Sequence, residues 1–146
     1  MQYTHLGRTA LSVSSLCLGT MNFGWDVPGT EADQAFAIMD RALELGINFF
    51  DTADVYHDGE SETILGRALG ERRKEVIVAT KVRGRMGPGA NQVGLSRHHI
   101  LNSVDASLER LGTDYIDLYQ VHWPITETPL AEAFAALQAL QTEGKI

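Results

Sequence analysis

Hydrophobic and polar positions along the chain switch repeatedly between two periods. Residues 31–45, EADQAFAIMDRALEL, put Ala32, Phe36, Met39 and Leu43 on one face of a helix. Residues 61–70, SETILGRALG, read as a second helix. Residues 96–112 form a third, with Ile100, Val104, Leu108 and Leu111 aligned, and residues 128–144 a fourth. Terminus chemistry agrees: Thr30 and Gly46 bracket the first helix, and Ser96 and Gly112 the third. Thr128 caps the fourth, Pro129 takes its first helical position, and Gly144 ends it. Short apolar runs precede the helices: residues 15–19 (SLCLG), 47–51 (INFFD), 75–81 (EVIVATK) and 115–122 (YIDLYQVH). The expected order is strand then helix, four times over, after a small hairpin from QYTHLG and LSVSS. Such alternation implies parallel pairing through βαβ units. Two architectures answer to it, an open doubly wound sheet and part of a (β/α)8 barrel. The long first turn, GTMNFGWDVPGT, lacks the Gly-rich fingerprint usual in dinucleotide-binding open sheets.

The strand ends carry the chemistry. The second strand closes on Asp51, the third on Lys81 and the fourth on His122. Parallel strands share one C-terminal rim and lie about 4.8 Å apart, so an acid, an amine and an imidazole meet at one mouth. Side chains alternate between faces along a strand. With His122 inward, Gln120, Leu118 and Ile116 follow it, while Tyr119 and Val121 face the helices. With Lys81 inward go Ala79 and Ile77, and with Asp51 goes Phe49. A mostly apolar interior with polar groups kept for the rim suits a barrel with its site at the top face. Tyr56 follows Asp51 by five residues in FFDTADVYHDGES. A free phenol is a weak acid near neutral pH; an ammonium beside it favours the phenolate, and a carboxylate can hold that ammonium in place. An imidazole can orient a carbonyl. The set suits protonation of a carbonyl oxygen as a hydride reaches its carbon, and the hydride must come from a cofactor.

Composition narrows the classes. A chain of 146 residues that is 44% hydrophobic and 21% charged fits one globular domain. The net charge of -7 opposes nucleic-acid binding, which needs a basic surface. No apolar run approaches the ~20 residues of a membrane span, and MQYTHLGRTALS lacks the pattern of a secretory signal. The single Cys17, in SLCLGT, reads as a buried small hydrophobe in a reducing cytoplasm. ERRK (71–74) reads as a solvated turn. Arg83 and Arg85 in VRGR have two readings, attraction of anionic substrates to the rim or a solvated loop, the second being simpler. Asp54 lies past the strand end and reads as a surface residue. His98 and His99 start a helix on the outside, and Asp114 and Asp117 flank the fourth strand's start in a structural role. No zinc spacing, Walker loop or G-x-G-x-x-G occurs.

FFDTADVY, VIVATKV, RLGTDYIDLYQVHWP, LGTMNFG and GESETILGRAL closely resemble the aldo-keto reductases, and the resemblance runs the length of the chain. It implies a (β/α)8 barrel whose bottom the leading hairpin plugs. It implies a catalytic set of Asp51, Tyr56, Lys81 and His122, with NADPH or NADH as hydride donor and aldehydes or ketones as substrates. It sets Gly19, Thr20, Met21 and Asp51 beside the cofactor. Trp25 and Trp123, with Tyr56 and His122, fall at the substrate pocket; Trp25 also reads as a loop anchor, and His57 as pocket lining or solvated. The likeness extends to channel β-subunits, so a cofactor-sensing partner protein is the alternative to an enzyme, and an inert half-barrel is a third reading. The family runs to roughly twice this length, near the ~250 residues of such barrels. Residues 1–146 therefore read as an N-terminal half: hairpin 2–14, then four β/α units over 15–146. Its exposed edges invite self-association.

Overall fold

The structure, a computed structural model, describes residues 1–25, 31–124 and 129–146. Strands β1 (Tyr3–His5) and β2 (Ser12–Ser14) pair antiparallel as the expected hairpin, Tyr3 opposite Ser14. The hairpin is tied beneath the main sheet. The Ser14 N–H donates to Asn48 Oδ1 at 2.7 Å, and the Tyr3 hydroxyl to the Gly46 carbonyl at 2.8 Å, just ahead of the next strand.

The main sheet contains β3 (Leu18–Gly19), β4 (Phe49–Asp51), β5 (Ile77–Val82) and β6 (Leu118–Val121), all parallel and in sequential order. Helices α1 (Ala32–Glu44), α2 (Glu60–Leu69) and α3 (Arg97–Leu111) make the crossovers, and α4 (Leu130–Thr142) follows β6. Right-handed crossovers between successive neighbours put every helix on the same face. A doubly wound sheet would reverse strand order at a switch point, and this one does not. The strands are shorter than the apolar runs because their first residues lead into the sheet without ladder pairing.

Register confirms the alternation. Phe50, Val78 and Thr80 are fully buried beneath the helices, and Tyr119 nearly so, while Phe49, Asp51, Ile77, Lys81, Leu118 and Gln120 are half-buried on the other face. Ile116 departs from expectation. It precedes β6 and belongs to the buried cluster with Val78, Ile100 and Leu140, so strand parity does not reach it. Met39 on α1 and Ile100, Val104 and Leu111 on α3 anchor the same cluster. Ser96 caps α3 by accepting from the His99 N–H, and Gly112 ends it at φ 63. Pro129 is the residue before α4 rather than its first helical one; Glu31 takes that place on α1. Thr30 and Thr128, expected as caps, lie outside the described residues.

Four expectations about burial are overturned. Cys17 is exposed, on a stretch leading into β3, and desolvation by its surroundings together with the Asp51 carboxylate pushes its thiol up to about 11. Its solvent exposure and that desolvation describe a thiol open on one side only. Arg73 in ERRK is buried: its guanidinium pairs with Asp117 at 2.8 Å and stacks on Tyr115 at 4.2 Å. Asp117 also accepts from the Val78 N–H at 2.9 Å, which ties the foot of β5 to that of β6. His99 is buried against the Gly84 carbonyl at 3.2 Å, and its burial holds the imidazole below its ordinary range. Asp54 is completely buried.

Candidate active site

Strands β4, β5 and β6 each deliver one group to the C-terminal rim. Asp51 ends β4, and Lys81 is the penultimate residue of β5, in register with Gln120 on β6. His122 follows β6 and is held there by its N–H donating to the Val82 carbonyl at 3.0 Å. Tyr56 comes from the loop after β4, which continues the ladder: Thr52 N–H donates to Ala79 O at 2.9 Å and Asp54 N–H to Lys81 O at 3.2 Å. His57 (φ 50) and Asp58 (φ 53) then turn left-handed, a conformation uncommon outside glycine. Two such residues in succession store strain beside Tyr56. The turn closes on Gly59 at φ 94, where a Cβ would stand 2.5 Å from Arg110 Cδ.

The four groups converge. Lys81 Nζ donates to Asp51 Oδ1 at 2.5 Å, to the Thr52 carbonyl at 2.7 Å and to the Tyr56 hydroxyl at 3.3 Å. The Tyr56 ring meets the His122 ring edge-on, centroids 5.7 Å apart, and Trp123 follows at 4.4 Å from His122. Gln120 Nε2 donates to the other Asp51 oxygen at 3.3 Å. Gln120 was readable from parity as inward-facing, yet its bond to Asp51 depends on register between strands 69 residues apart. Burial, then the Lys81 ammonium, holds His122 below its ordinary range, with Asp51 opposing, so its imidazole is neutral at neutral pH.

The other expected residues divide. Gly19, the last residue of β3, and Met21, just past it, are exposed, and among the described residues nothing but Gly19's own chain neighbours comes within 4 Å of where its Cβ would stand. Thr20 is fully buried instead. Its hydroxyl lies 2.9 Å from Ser61 Oγ and donates to the Asp51 carbonyl at 3.1 Å, so the side chain is turned inward against its neighbours. Trp25 is 47% exposed with its ring 4.9 Å from His57, so both stand at the rim as a pair.

A polar cluster lies behind the rim. Glu62 is fully buried, accepting from Thr80 Oγ1 at 2.5 Å and Arg110 Nε at 2.7 Å. Asp54 sits beside it with no hydrogen bond of ordinary geometry to either carboxylate oxygen among the described residues. Burial, then Glu62, pushes its carboxyl up to about 7, against weaker pulls from the Val55 and Arg83 N–H groups and Arg110. The folded state therefore binds this proton more tightly than the unfolded chain. Stability from Asp54 is full below about pH 4 and is lost as pH rises toward 7, by at most about 4 kcal/mol for some three pKa units. Urea unfolding at pH 5 and pH 8 checks this: wild type should lose stability relative to Asp54→Asn across the interval. Parallel changes in both proteins would contradict it.

Residues 15–146 match the family model described as "Aldo/keto reductase family". The chain belongs to the aldo-keto reductase family. It is 45% identical to the uncharacterized oxidoreductase YrpG of Bacillus subtilis, covering 100% of this chain and 47% of that protein. It is 40% identical to a probable voltage-gated potassium channel subunit beta of Arabidopsis thaliana, covering 99% of this chain and 44% of that protein. Among solved structures it superposes on the aldo-keto reductase AKR11C1 from Bacillus halodurans (holo form) with a TM-score of 0.90. Sequence identity there is 42%, over 100% of this chain and 48% of that one. The chain thus spans about half the length of the aldo-keto reductases it matches, and its four β/α units are a segment of their (β/α)8 barrel. Aldo-keto reductases are oxidoreductases that use nicotinamide cofactors, which accords with a rim of proton-handling groups beside an uncovered Gly19.

Proposed function

We propose that this chain carries the proton-donating half of an NAD(P)H-dependent carbonyl reductase, with NADPH the preferred donor and aldehydes or ketones as substrates. The observation that carries this reading is the bond chain from Asp51 through Lys81 Nζ to the Tyr56 hydroxyl. The bound nicotinamide supplies the hydride. Tyr56 gives its proton to the carbonyl oxygen as negative charge develops there. The Lys81 ammonium, 3.3 Å away, stabilises the phenolate left behind, and Asp51 with the Thr52 carbonyl keeps that ammonium from turning away. His122, neutral, keeps an N–H to donate to the same carbonyl oxygen and packs against the Tyr56 ring. Gln120 holds the second Asp51 oxygen so that the carboxylate faces Lys81. Trp25, Trp123, Tyr56 and His122 wall the substrate side, and Gly19, Met21 and Asp51 offer an uncrowded floor for the cofactor's ring.

In this reading residues 2–14 close the barrel bottom, 15–146 supply the first four units of one domain, and β3 and β6 are edges where further strands, from a longer chain or a second copy, pair. A cytoplasmic setting suits the unpaired thiol of Cys17. Among the described residues no helix is long and apolar enough to cross a membrane. The test is turnover: purified protein given NADPH and a simple aldehyde should consume cofactor and form alcohol one for one, more slowly with NADH. The relatives named as channel subunits favour a second reading, a cofactor-binding partner protein. Tight NADPH binding with no alcohol formed would select it.

A further inference from the structure

Arg83 is an exception among the cations of the fold. Arg72, Arg73, Lys81, Arg110 and Lys145 are the other half-buried or buried Arg and Lys side chains among the described residues, and each has a carboxylate within 2.8 Å. Arg83 is half-buried and has none among the described residues. Its Nε is buried without a hydrogen-bond partner among the described residues. A cation withdrawn from water without a counter-charge is costly, and an anion arriving from outside would relieve it.

The backbone aims this side chain. Arg83 has φ 146, a region that residues with a Cβ rarely adopt. Its carbonyl accepts from the Gly94 N–H at 3.0 Å, and its own N–H turns toward the buried Asp54 carboxyl. The guanidinium then lies over Trp123 at 4.5 Å from the ring centroid. Trp123 touches His122, and His122 touches Tyr56. Two rings therefore separate the guanidinium from the phenol, along the rim. Arg85, by contrast, is exposed and donates to the Gly87 and Gly89 carbonyls of its own loop, as a solvated loop residue does.

We propose that Arg83 is the receptor for an anionic group on the substrate, so that the site takes carbonyl compounds bearing a carboxylate several bonds from the reacting carbon. This rests on the carbonyl-reductase reading and names its substrate class. Arg83 offers a planar fork of N–H donors that matches a carboxylate in two-point fashion, and Trp123 keeps the fork flat and partly dry.

Paired probes test it: para-carboxybenzaldehyde and its neutral isostere para-formylbenzamide. Binding is read by quenching of tryptophan fluorescence, which needs no turnover, and reduction is read separately as kcat/KM. Wild type should bind the carboxylate at least about tenfold more tightly than the amide, as expected for a charge-assisted pair. The ratio should fall to near one in Arg83→Met, recover in part in Arg83→Lys, and shrink in wild type as salt is raised. A wild-type ratio near one, or one unchanged in Arg83→Met, overturns the inference. So does loss of NADPH affinity in Arg83→Met with the ratio intact, because Arg83 would then serve the cofactor. If the carboxylate is preferred in binding but neither aldehyde is reduced, the anion site stands and the reductase reading fails. If both are reduced equally well, the reverse holds.

Discussion

Tyr56→Phe should lower carbonyl reduction by about 100- to 10,000-fold while leaving the fold in place. The substitution removes one oxygen, whose only hydrogen bond among the described residues is the one from Lys81 Nζ at 3.3 Å. Lys81 keeps its stronger contacts to Asp51 and Thr52, and the ring keeps its edge contact with His122. Folding therefore has little to lose. Chemistry loses the only hydroxyl, among the described residues, bonded to the half-buried Lys81 ammonium. Steady-state turnover with saturating aldehyde, beside circular dichroism of both proteins, separates the two effects. Undiminished turnover would mean that the proton comes from elsewhere.

Glu62→Ala should cost stability rather than chemistry, on the order of 3–5 kcal/mol. Glu62 is completely buried and joins three elements: its own helix α2, Thr80 on β5 and Arg110 on α3. Truncation leaves the Arg110 guanidinium half-buried without a carboxylate and the Thr80 hydroxyl without an acceptor. One term runs the other way, because Asp54 loses a like-charged neighbour. That relief returns less than the two broken bonds remove, since Asp54 is able to take up a proton at neutral pH and Arg110 cannot shed one. The urea midpoint at pH 7 checks the balance, with Glu62→Gln expected to fall between wild type and alanine. A midpoint unchanged in Glu62→Ala would remove the cluster from the account of stability.

What was legible in the amino-acid sequence was local or periodic. Ser96 and Gly112 bound α3 as expected, because a cap acts on backbone groups within one turn. The meeting of Asp51, Lys81 and His122 followed from strand ends and a period of two, and register adds Gln120 to them. What could not be read depends on what stands opposite. Asp54 looks like a loop acid, but α2 and α3 cover the loop, and the residue is sealed in. Arg73 looks solvated until Asp117, 44 residues on, takes its charge. His99 looks external because it opens a helix, yet the loop after β5 folds over it and brings the Gly84 carbonyl. Cys17 errs in the other direction: within its apolar run Leu18 packs against the core, while Leu16 and Cys17 are left exposed. Thr20 shows the same limit within the site, where its position beside Gly19 is as expected but its hydroxyl is turned inward to Ser61.

In the proposed mechanism Tyr56, supported by Lys81, protonates a carbonyl oxygen while hydride arrives at its carbon. Deuterium transfer tests it most directly: NADPH deuterated at the donating position is supplied with an aldehyde, and the alcohol is analysed by mass spectrometry. Wild type should yield alcohol with one deuterium on the former carbonyl carbon, and Tyr56→Phe almost none in the same time. Equal labelling by both proteins, or no labelled alcohol from wild type, would contradict it.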